Sequence, residues 1–457
     1  MPAPSQAPSS ISWSKLGFSA VVLLTLALAD HRLRFTSANT SNIFFGDQWD
    51  IYNPLFNGEG WWKIFTCQHG PHRQGVGFLF TAGLARITHW DARGDALLSV
   101  GVTGLAALLA LPLARKCGAR PGFALLTVPV IFLTLRQFEA WIGAANPSHG
   151  AFPVLLLLLY GFTWFIRRPL WRLGLQVLLT FFLMFTGFGL FVGVLSPLLL
   201  ALETWQAACQ GDRRLAWLTG TAGLLTVVVC ILFFHGYTSQ PAVPDFRFPD
   251  ERPWEYGYFS AIMLASYAGL EGHRGPDLAV GFVLLFVLGG VAVWHGLRLL
   301  RSSPTAQPAH AVIFVLSAFT LLYCVGTSVG RVMLGWQEAA YAPRYVTLVV
   351  PGIFALYLHG ENLAGRVWRN GWWTALLLLA VLGGFSLSQN DRNAVEWYRR
   401  NRENWRQAYL ATGSRQKADA VTSIDLGYTV HPGNLTVRLE YLRQHRLNLF
   451  KPDPFAH

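Results

Sequence analysis

The sequence predicts an all-α, polytopic membrane protein with about eleven membrane-spanning helices. Hydrophobic residues make up 53% of its 457 residues and charged residues only 13%, whereas about a quarter of the residues in a soluble protein are charged. The apolar residues form long runs that do not alternate with polar residues, which favours helices over barrel strands. Basic residues follow every second run, as the cytoplasmic loops of a multi-pass membrane protein do.

The predicted spans are apolar runs whose flanking Trp, Tyr and Arg residues extend them toward the length that a membrane requires. Their approximate bounds are 14–29, 95–114, 122–136, 151–166, 172–186, 188–205, 216–234, 278–297, 310–326, 344–359 and 372–387. Segment 75–88 is also apolar, but treating it as a span would place the basic stretch 115–120 outside and end the alternation of the loops. We therefore expect segment 75–88 to be an interfacial helix along the outer surface.

The basic residues between the spans predict the orientation of the chain. They fall in alternate loops, at Arg115/Lys116/Arg120, Arg167/Arg168/Arg172, Arg213/Arg214, Arg298/Arg301 and Arg366/Arg369. Because basic loops stay in the cytoplasm, we expect a multi-pass protein of the cell inner (plasma) membrane, with a cytoplasmic N-terminus and a periplasmic C-terminus. This placement accounts for the net charge of +12 without nucleic-acid binding.

The same orientation predicts two domains, a transmembrane domain over 1–387 and an outer helical tail over 388–457. Within the first domain, the stretches 30–94, 137–150, 235–277 and 327–343 are expected outside, with 30–94 as the first outer loop. Aromatic residues recur at helical spacing after residue 393, which predicts an amphipathic helix resting on the membrane surface. A second tail helix is expected after Pro432-Gly433.

The first outer loop carries the candidate catalytic acids. Asp47 and Asp50 would share a face if a helix begins there, and Trp49 between them is a candidate substrate contact. Surrounding aromatic side chains would desolvate a carboxylate and raise its pKa, which suits a general base. Either acid alternatively caps a helix or binds a divalent metal. The sequence offers no further clustered metal ligands, so no cofactor is expected.

Cationic residues near the outer ends of the spans predict a site for a lipid-linked phosphate. His72 and Arg73 supply donors suited to phosphate, and Arg331 and Arg344, the latter followed by Tyr345, flank a short outer loop. The alternative for each of them is simple anchoring at lipid headgroups.

Glu139 and Trp141 lie at the outer end of the predicted span 122–136. An acid at the lipid boundary is costly unless it is paired or functional. We therefore expect Glu139 and Trp141 to contact substrate, with an i,i+3 ion pair between Arg136 and Glu139 as the alternative.

In the order of these features the chain resembles the GT-C superfamily of membrane glycosyltransferases, which includes protein O-mannosyltransferases and lipid A aminoarabinose transferases. In that class an early Asp in the first outer loop is followed by a surface helix, a basic residue, a second surface helix and the second span. The counterparts here are Asp47, 49–65, His72-Arg73, 75–88 and 95–114.

The chain also resembles a large group of bacterial GT-C-like membrane proteins through four short elements. These are Asp47-Gln48-Trp49, His69-Gly70-Pro71-His72-Arg73, Gln137-Phe138-Glu139-Ala140 and Arg331…Gly335…Ala339/Ala340…Arg344-Tyr345. The chain departs from that group's pattern at Pro71, which replaces an acid, at Ala140, which replaces an Asn, and at Gln48, since the usual Asp-Glu of the first loop is Asp47-Gln48 here. The resemblance implies a polyprenyl-phosphate-linked sugar donor and a transfer with inversion.

We therefore expect a glycosyltransferase that moves a sugar to the hydroxyl of a lipid, glycan or protein acceptor on the outer face. Asp47 would be the base and the cations would stabilise the leaving phosphate. One alternative is a polysaccharide polymerase or ligase, for which 235–277 would be the large outer loop. A lipid or solute transporter is the weaker alternative, because the sequence shows no repeat and almost no charge at mid-span.

Overall fold

The computed structural model describes residues 13–120, 122–238, 246–270, 272, 274–385, 387–422 and 432–451. These residues are helical almost throughout, as predicted. The helices are α1 (Trp13–Asn39), α2 (Gln48–Ile51), α3 (Asn53–Phe56), α4 (Trp61–Thr66), α5 (Gly75–Thr88), α6 (Arg93–Lys116), α7 (Thr127–Phe132), α8 (Phe138–Ile142), α9 (Ala151–Thr163), α10 (Pro169–Met184), α11 (Val192–Cys209), α12 (Arg213–Phe234), α13 (Glu255–Tyr267), α14 (Arg274–Arg301), α15 (Pro308–Arg331), α16 (Trp336–Ala339), α17 (Val346–Glu361), α18 (Arg366–Gly384), α19 (Gln389–Thr412), α20 (Arg415–Val421) and α21 (Pro432–Gln444). Short 3₁₀ helices occupy Phe123–Leu126, Leu135–Gln137, Gly187–Phe191, Val332–Leu334, Pro343–Tyr345 and Asn448–Phe450. Strands β1 (Gln68–His69) and β2 (His72–Arg73) pair antiparallel.

In the described part of the chain, six helical segments are long and apolar enough to cross a membrane. They are Arg93–Lys116, Ala124–Ile142, Gly187–Cys209, Arg213–Phe234, Gly275–Arg301 and Pro308–Leu334. Helices α18 and α19, which bend by 43° at a short break, make a seventh if they cross as one. The structure is therefore compatible with a multi-pass membrane protein, but the expected count of eleven spans is not confirmed.

Helix length explains part of the difference. Helices α9 and α10 coincide with predicted spans, yet they contain 13 and 16 residues, whereas a span needs about 20. Helix α17 also has only 16 residues, nearly all of them buried. An apolar run fills a protein interior as readily as it crosses lipid, so the runs alone do not determine the number of spans.

Helix α5 covers the segment expected to be interfacial. Its 14 residues are too few to cross a membrane, which agrees with that expectation. Gly75 at its start has a positive φ of 51°, and a Cβ there would lie 2.1 Å from the carbonyl oxygen of Phe185. Glycine at this position therefore lets the first outer loop dock closely on the end of α10.

Part of the stretch 235–277, expected to be an outer loop, is instead a buried helix. Every residue of α13 from Phe259 to Tyr267 is buried, and the helix packs against α14, α15 and α17. Its apolar run is too short to be predicted as a span but long enough to fill the interior. Residues 239–245, 271 and 273 of this stretch lie outside the described residues.

The tail packs against the first outer loop. Helix α19 is present and amphipathic, and Trp405 on its buried face belongs to the same hydrophobic cluster as Ile43 and Phe44 of the first loop. Arg402 donates hydrogen bonds to the carbonyls of Ile142 and Gly143. Amphipathic spacing does not distinguish a lipid surface from a protein surface, so the spacing predicted the helix but not its contact with the first loop. Helix α21 begins at Pro432, as predicted.

Candidate functional site

A cavity of about 1290 Å³ opens at one end of the helix bundle. Its walls come from the first outer loop, the stretch 139–151, residues 236 and 238, the segment 344–348, the end of α15 and the tail helix α19. The structure therefore brings together the stretches that the basic-loop pattern assigns to one side. Nine predicted site residues line the cavity: Asp47, Asp50, His72, Arg73, Glu139, Trp141, Arg331, Arg344 and Tyr345.

Trp49 is the predicted site residue that does not line this cavity. Its side chain is 0% exposed and packs edge-on against Phe44, with ring centroids 5.3 Å apart. The prediction that Trp49 contacts substrate was wrong, because α2 turns this face of the loop toward the loop's own core. Trp141 reaches the cavity wall but is almost entirely buried, so its contribution is mainly to the shape of the wall.

Arg73 holds the β1–β2 hairpin in place. Its Nε, Nη1 and Nη2 atoms donate to the carbonyl oxygens of Phe233 at 3.0 Å, Thr66 at 2.5 Å and His235 at 2.7 Å. The guanidinium also lies over the Phe185 and Phe233 rings. With all three nitrogens bonded to backbone, Arg73 is poorly placed to bind a donor phosphate, contrary to the sequence-based expectation.

His72 is buried rather than presented as a cation. Its Nε2 lies 2.7 Å from Nε2 of His149, and its Nδ1 has no partner among the described residues. Burial, followed by the charges of His69 and Arg331, lowers the pKa of His72 to about 3. His72 is therefore neutral at pH 7 and offers hydrogen bonds but no charge to an anion.

Asp47 precedes α2, but its side chain caps no backbone N–H of that helix. Its Oδ2 lies 3.6 Å from Nε2 of His69 instead. Burial alone would raise the pKa of Asp47, as expected from its aromatic neighbours. The hydrogen bond and charge of His69, with smaller contributions from His149 and Arg331, outweigh burial and lower the pKa to about 2. The expected upward shift was therefore wrong, because the sequence did not reveal these neighbours.

Asp50 faces the tail. Arg438 of α21 lies 3.3 Å from its Oδ1 and also donates to the carbonyl of Trp49 at 2.6 Å and to Asn53. The side chain of Asp50 is 26% exposed and lines the cavity. Because Asp50 serves a tail contact, Asp47 is the better placed of the two acids to meet a substrate.

Glu139 joins three parts of the wall. It accepts hydrogen bonds from Nη1 of Arg344 at 2.6 Å, from the backbone N–H of Arg344 at 3.2 Å and from the hydroxyl of Tyr398 at 3.3 Å. The alternative i,i+3 pair with Arg136 does not form, since Arg136 pairs with Asp391 of α19 in the interior. Glu139 thus fixes Arg344 and the tail at the cavity.

Arg331 lines the cavity and has no counter-ion in the described part of the chain. No hydrogen bond or ion pair to it occurs among the described residues. Its charge nevertheless lowers the pKa of Asp47, His72 and His149, which places it among them. A guanidinium that faces a cavity without a paired acid is suited to a bidentate anion such as phosphate.

Two histidines and a tyrosine of the wall are among its residues that were not predicted. His69 and His149 line the cavity, and Tyr398 reaches it from the tail. The sequence could have indicated His69, because it lies in the same short motif as His72. His149 and Tyr398 lie outside every motif. Within the described ranges, no group of three or more His, Cys, Asp or Glu residues could hold a metal ion.

No protein-family model matches this chain, and no curated protein matches its sequence. The residues of the cavity and their geometry therefore carry the functional interpretation.

Proposed function

We propose that the protein is a membrane glycosyltransferase that moves a sugar from a polyprenyl-phosphate donor to an acceptor hydroxyl, with inversion, on the periplasmic side of the inner membrane. One observation carries the proposal. A single cavity at the end of an apolar helix bundle holds an acid–imidazole couple, Asp47 and His69, together with Arg331, which has no counter-ion among the described residues. A proton acceptor and an anion site in one cavity suit transfer from a phosphate leaving group.

Arg331 would bind the donor phosphate. Arg344 would assist it, because its guanidinium is 47% exposed and bonds to Glu139 through Nη1, and Tyr345 lies beside it with the ring centroid 5.3 Å from Cζ. The prenyl chain would lie between the apolar helices. These cations would stabilise the negative charge that develops as the phosphate departs.

The acceptor hydroxyl would attack the anomeric carbon from the side of Asp47 and His69. Phosphate is a good leaving group without protonation, so one proton acceptor suffices. A glycosidase instead needs a second carboxyl group as an acid. The chemistry requires no metal, and the acceptor would be a lipid, a glycan or a protein.

A polysaccharide polymerase or ligase is supported less well. That function was expected to use 235–277 as a large outer loop, yet the described part of this stretch contributes only Gly236 and Thr238 to the cavity, and α13 within it is buried. A transporter is also disfavoured, because the cavity walls come from one end of the bundle.

Mass spectrometry of lipids that co-purify with the protein tests the donor. The purified protein would also be incubated with undecaprenyl-phosphate-linked glucose, galactose, mannose and arabinose, and release of undecaprenyl phosphate would be measured. A bound polyprenyl-phosphate sugar, or release from one of these donors, supports the proposal. Bound phospholipid without any polyprenyl lipid, together with no release from the four donors, contradicts it.

A further inference from the structure

The wall between α2 and the β1–β2 hairpin brings an imidazole to a carboxylate. Nε2 of His69 lies 3.6 Å from Oδ2 of Asp47. The two side chains are 23% and 40% exposed, and both line the cavity. A ligand in the cavity can therefore reach either group.

The second ring nitrogen of His69 is available. Nδ1 has no hydrogen-bond partner in the described part of the chain, and it is not among the buried side-chain atoms that lack one. In its neutral form, an imidazole with the proton on the Nε2 that lies beside the carboxylate carries a lone pair on Nδ1. This is the tautomer of a histidine base that is oriented by an acid.

The hairpin holds His69 in position. The amide nitrogen of Gln68 donates to the carbonyls of Gly70 at 2.8 Å and Thr238 at 2.6 Å. Its amide oxygen accepts a hydrogen bond from the backbone N–H of Thr238 at 3.0 Å. Arg73, opposite Gln68 in the register, is bonded to three carbonyls as described above. A side chain whose backbone is fixed on both strands is preorganised, which a catalytic group requires.

The other two histidines that line the cavity lie beside His69. His72 is buried and His149 is partly exposed; their Nε2 atoms are hydrogen-bonded, and the His149 ring stacks on His69 with centroids 6.0 Å apart and planes at 29°. Neither of them forms an ion pair with an acid among the described residues, as His69 does with Asp47. Among the histidines that line the cavity, His69 is therefore the one that is both open to a ligand and paired with a carboxylate.

We infer that His69 accepts the proton of the acceptor hydroxyl and that Asp47 orients its ring and stabilises the imidazolium. This inference rests on the proposed glycosyl transfer. The hydroxyl oxygen forms a bond to the anomeric carbon, and the bond from that carbon to the phosphate oxygen breaks with its electron pair remaining on the phosphate. The hydroxyl proton passes to Nδ1 of His69 and later to water.

Imidazole rescue tests the inference. The variant His69→Ala is expected to lower kcat by about 10²- to 10⁴-fold with little change in KM for the donor, and added imidazole should restore part of the rate. The matched control is His445→Ala, at an exposed histidine directly after α21 and outside the cavity, which should keep the wild-type rate with or without imidazole. A His69→Ala enzyme with the wild-type rate, or one whose lost rate imidazole does not restore, overturns the inference.

A second readout separates this inference from the proposed function. In ¹⁵N-histidine NMR, the His69 resonances should report a proton on Nε2 in the wild type and a changed tautomer balance in Asp47→Asn. If no polyprenyl-phosphate sugar is turned over by the wild type, the proposed function fails, and the NMR result still decides whether the Asp47–His69 couple exists. Identical His69 resonances in the wild type and Asp47→Asn count against the couple.

Discussion

At the scale of single residues, the neighbours of a side chain decide its chemistry more than the motif that contains it. Burial raises the pKa of a carboxylate and lowers that of an imidazole, yet the pKa of Asp47 falls because His69 and Arg331 stabilise its charged form. His72 follows burial and is neutral, although it lies in the same short motif as His69. Asp47 and His69 therefore form an acid–imidazole couple, whereas His72 is a neutral histidine near it.

The first prediction concerns Asp47. Replacement Asp47→Asn keeps the size of the side chain and removes its charge, so the histidine beside it loses its orienting partner. We expect transfer to fall by about 10²-fold or more while the donor still binds, measured as kcat together with donor binding by scintillation proximity. Asp50→Asn, on the neighbouring acid that contacts Arg438, should lower kcat less. Near-normal turnover in Asp47→Asn would remove this acid from the mechanism.

The second prediction compares the two cavity arginines. Arg331→Lys keeps the charge and loses the planar fork, and a charged hydrogen bond is worth about 1.5–3 kcal/mol. Since about 1.4 kcal/mol is tenfold, we expect Arg331→Lys to lower transfer by more than tenfold. Arg344→Lys should have a smaller effect, because a lysine can still pair with Glu139.

Arg167→Lys, at an exposed position outside the cavity, controls for the substitution itself. Activity of all three variants at the wild-type level, with normal expression, would mean that Arg331 and Arg344 anchor the protein rather than bind the donor.

At the scale of elements, the tail and the first outer loop fold as one unit. They share a hydrophobic core that contains Trp49 and Phe78 from the loop and Trp405 and Leu439 from the tail. Polar contacts cross the same boundary, including Ser41 to Glu403 at 2.7 Å and Asn448 to the carbonyl of Trp90 at 2.7 Å. Because Tyr398 of α19 bonds to Glu139, docking of the tail also completes the cavity wall.

The third prediction is that acid weakens the docking of the tail. The hydrogen bond of Arg406, aided by Ser41, lowers the pKa of Glu403 from 4.5 to about 2. Burial raises the pKa of Asp91, but the hydrogen bonds that Arg93 and Lys451 donate to it have the larger effect. The pKa of Asp91 is therefore below its ordinary value. A lowered pKa stabilises the folded state above the ordinary value, and this stabilisation is lost as pH falls from about 4.5 toward 2.

Limited proteolysis with pepsin, which is active in acid, would measure this effect. We expect cleavage near residues 412–422 to accelerate between pH 4.5 and pH 3, and Glu403→Gln to show faster cleavage already at pH 4.5. Glu251→Gln, in an exposed ion pair with Arg247 away from the tail, should match the wild type. An unchanged cleavage rate in Glu403→Gln would show that this carboxylate does not hold the tail.

Apolar runs predicted where helices occur, but not what their faces contact. All the predicted spans overlap helices, because a long apolar run in a helical protein has few other ways to satisfy its backbone. The partners were not predictable. Arg172 was counted with a basic loop, yet it forms a bidentate pair with Glu203 in the interior, at 2.7 Å for both contacts. The same limit applies to Trp49 and α13, whose burial depends on residues distant in sequence.

The candidate site was more predictable than the packing. Nine of its proposed residues share one cavity, because the alternation of basic loops had already assigned their stretches to one side of the membrane. The roles of these residues could not be predicted without the structure. Only the structure shows that Arg73 is bonded to backbone carbonyls, that Glu139 pairs with Arg344 rather than Arg136, and that Arg331 lacks a counter-ion among the described residues.

At the scale of the whole molecule, the structure shows which residues lie at each end of the helix bundle. The basic loops of the sequence predict which end faces the cytoplasm. Helix α6 has Ser99 and Thr103 at the cavity and ends at Lys116, and at about 1.5 Å per residue its 24 residues span about 36 Å. Residue 118 therefore lies at the end opposite to the cavity. Residues 145 and 413 lie at the cavity end, since Ala145 accepts a hydrogen bond from Gln48 and the tail contacts Ile142 and Gly143.

The last prediction uses these three positions. Alkaline phosphatase fused after residue 145 or 413 should be active, because it would be periplasmic, whereas a fusion after residue 118 should be inactive; green fluorescent protein at the same positions should give the reverse pattern. Placement of 145 and 413 on one side follows from the contacts of the tail, and the choice of the periplasm follows from the basic loops.

If 118 is outside while 145 and 413 are inside, the bundle is correct and the orientation is inverted, and the cavity would then face cytoplasmic donors. If 118 and 145 report the same side, α6 and the segment 124–142 do not both cross the membrane, and the cavity cannot lie at one end of a spanning bundle.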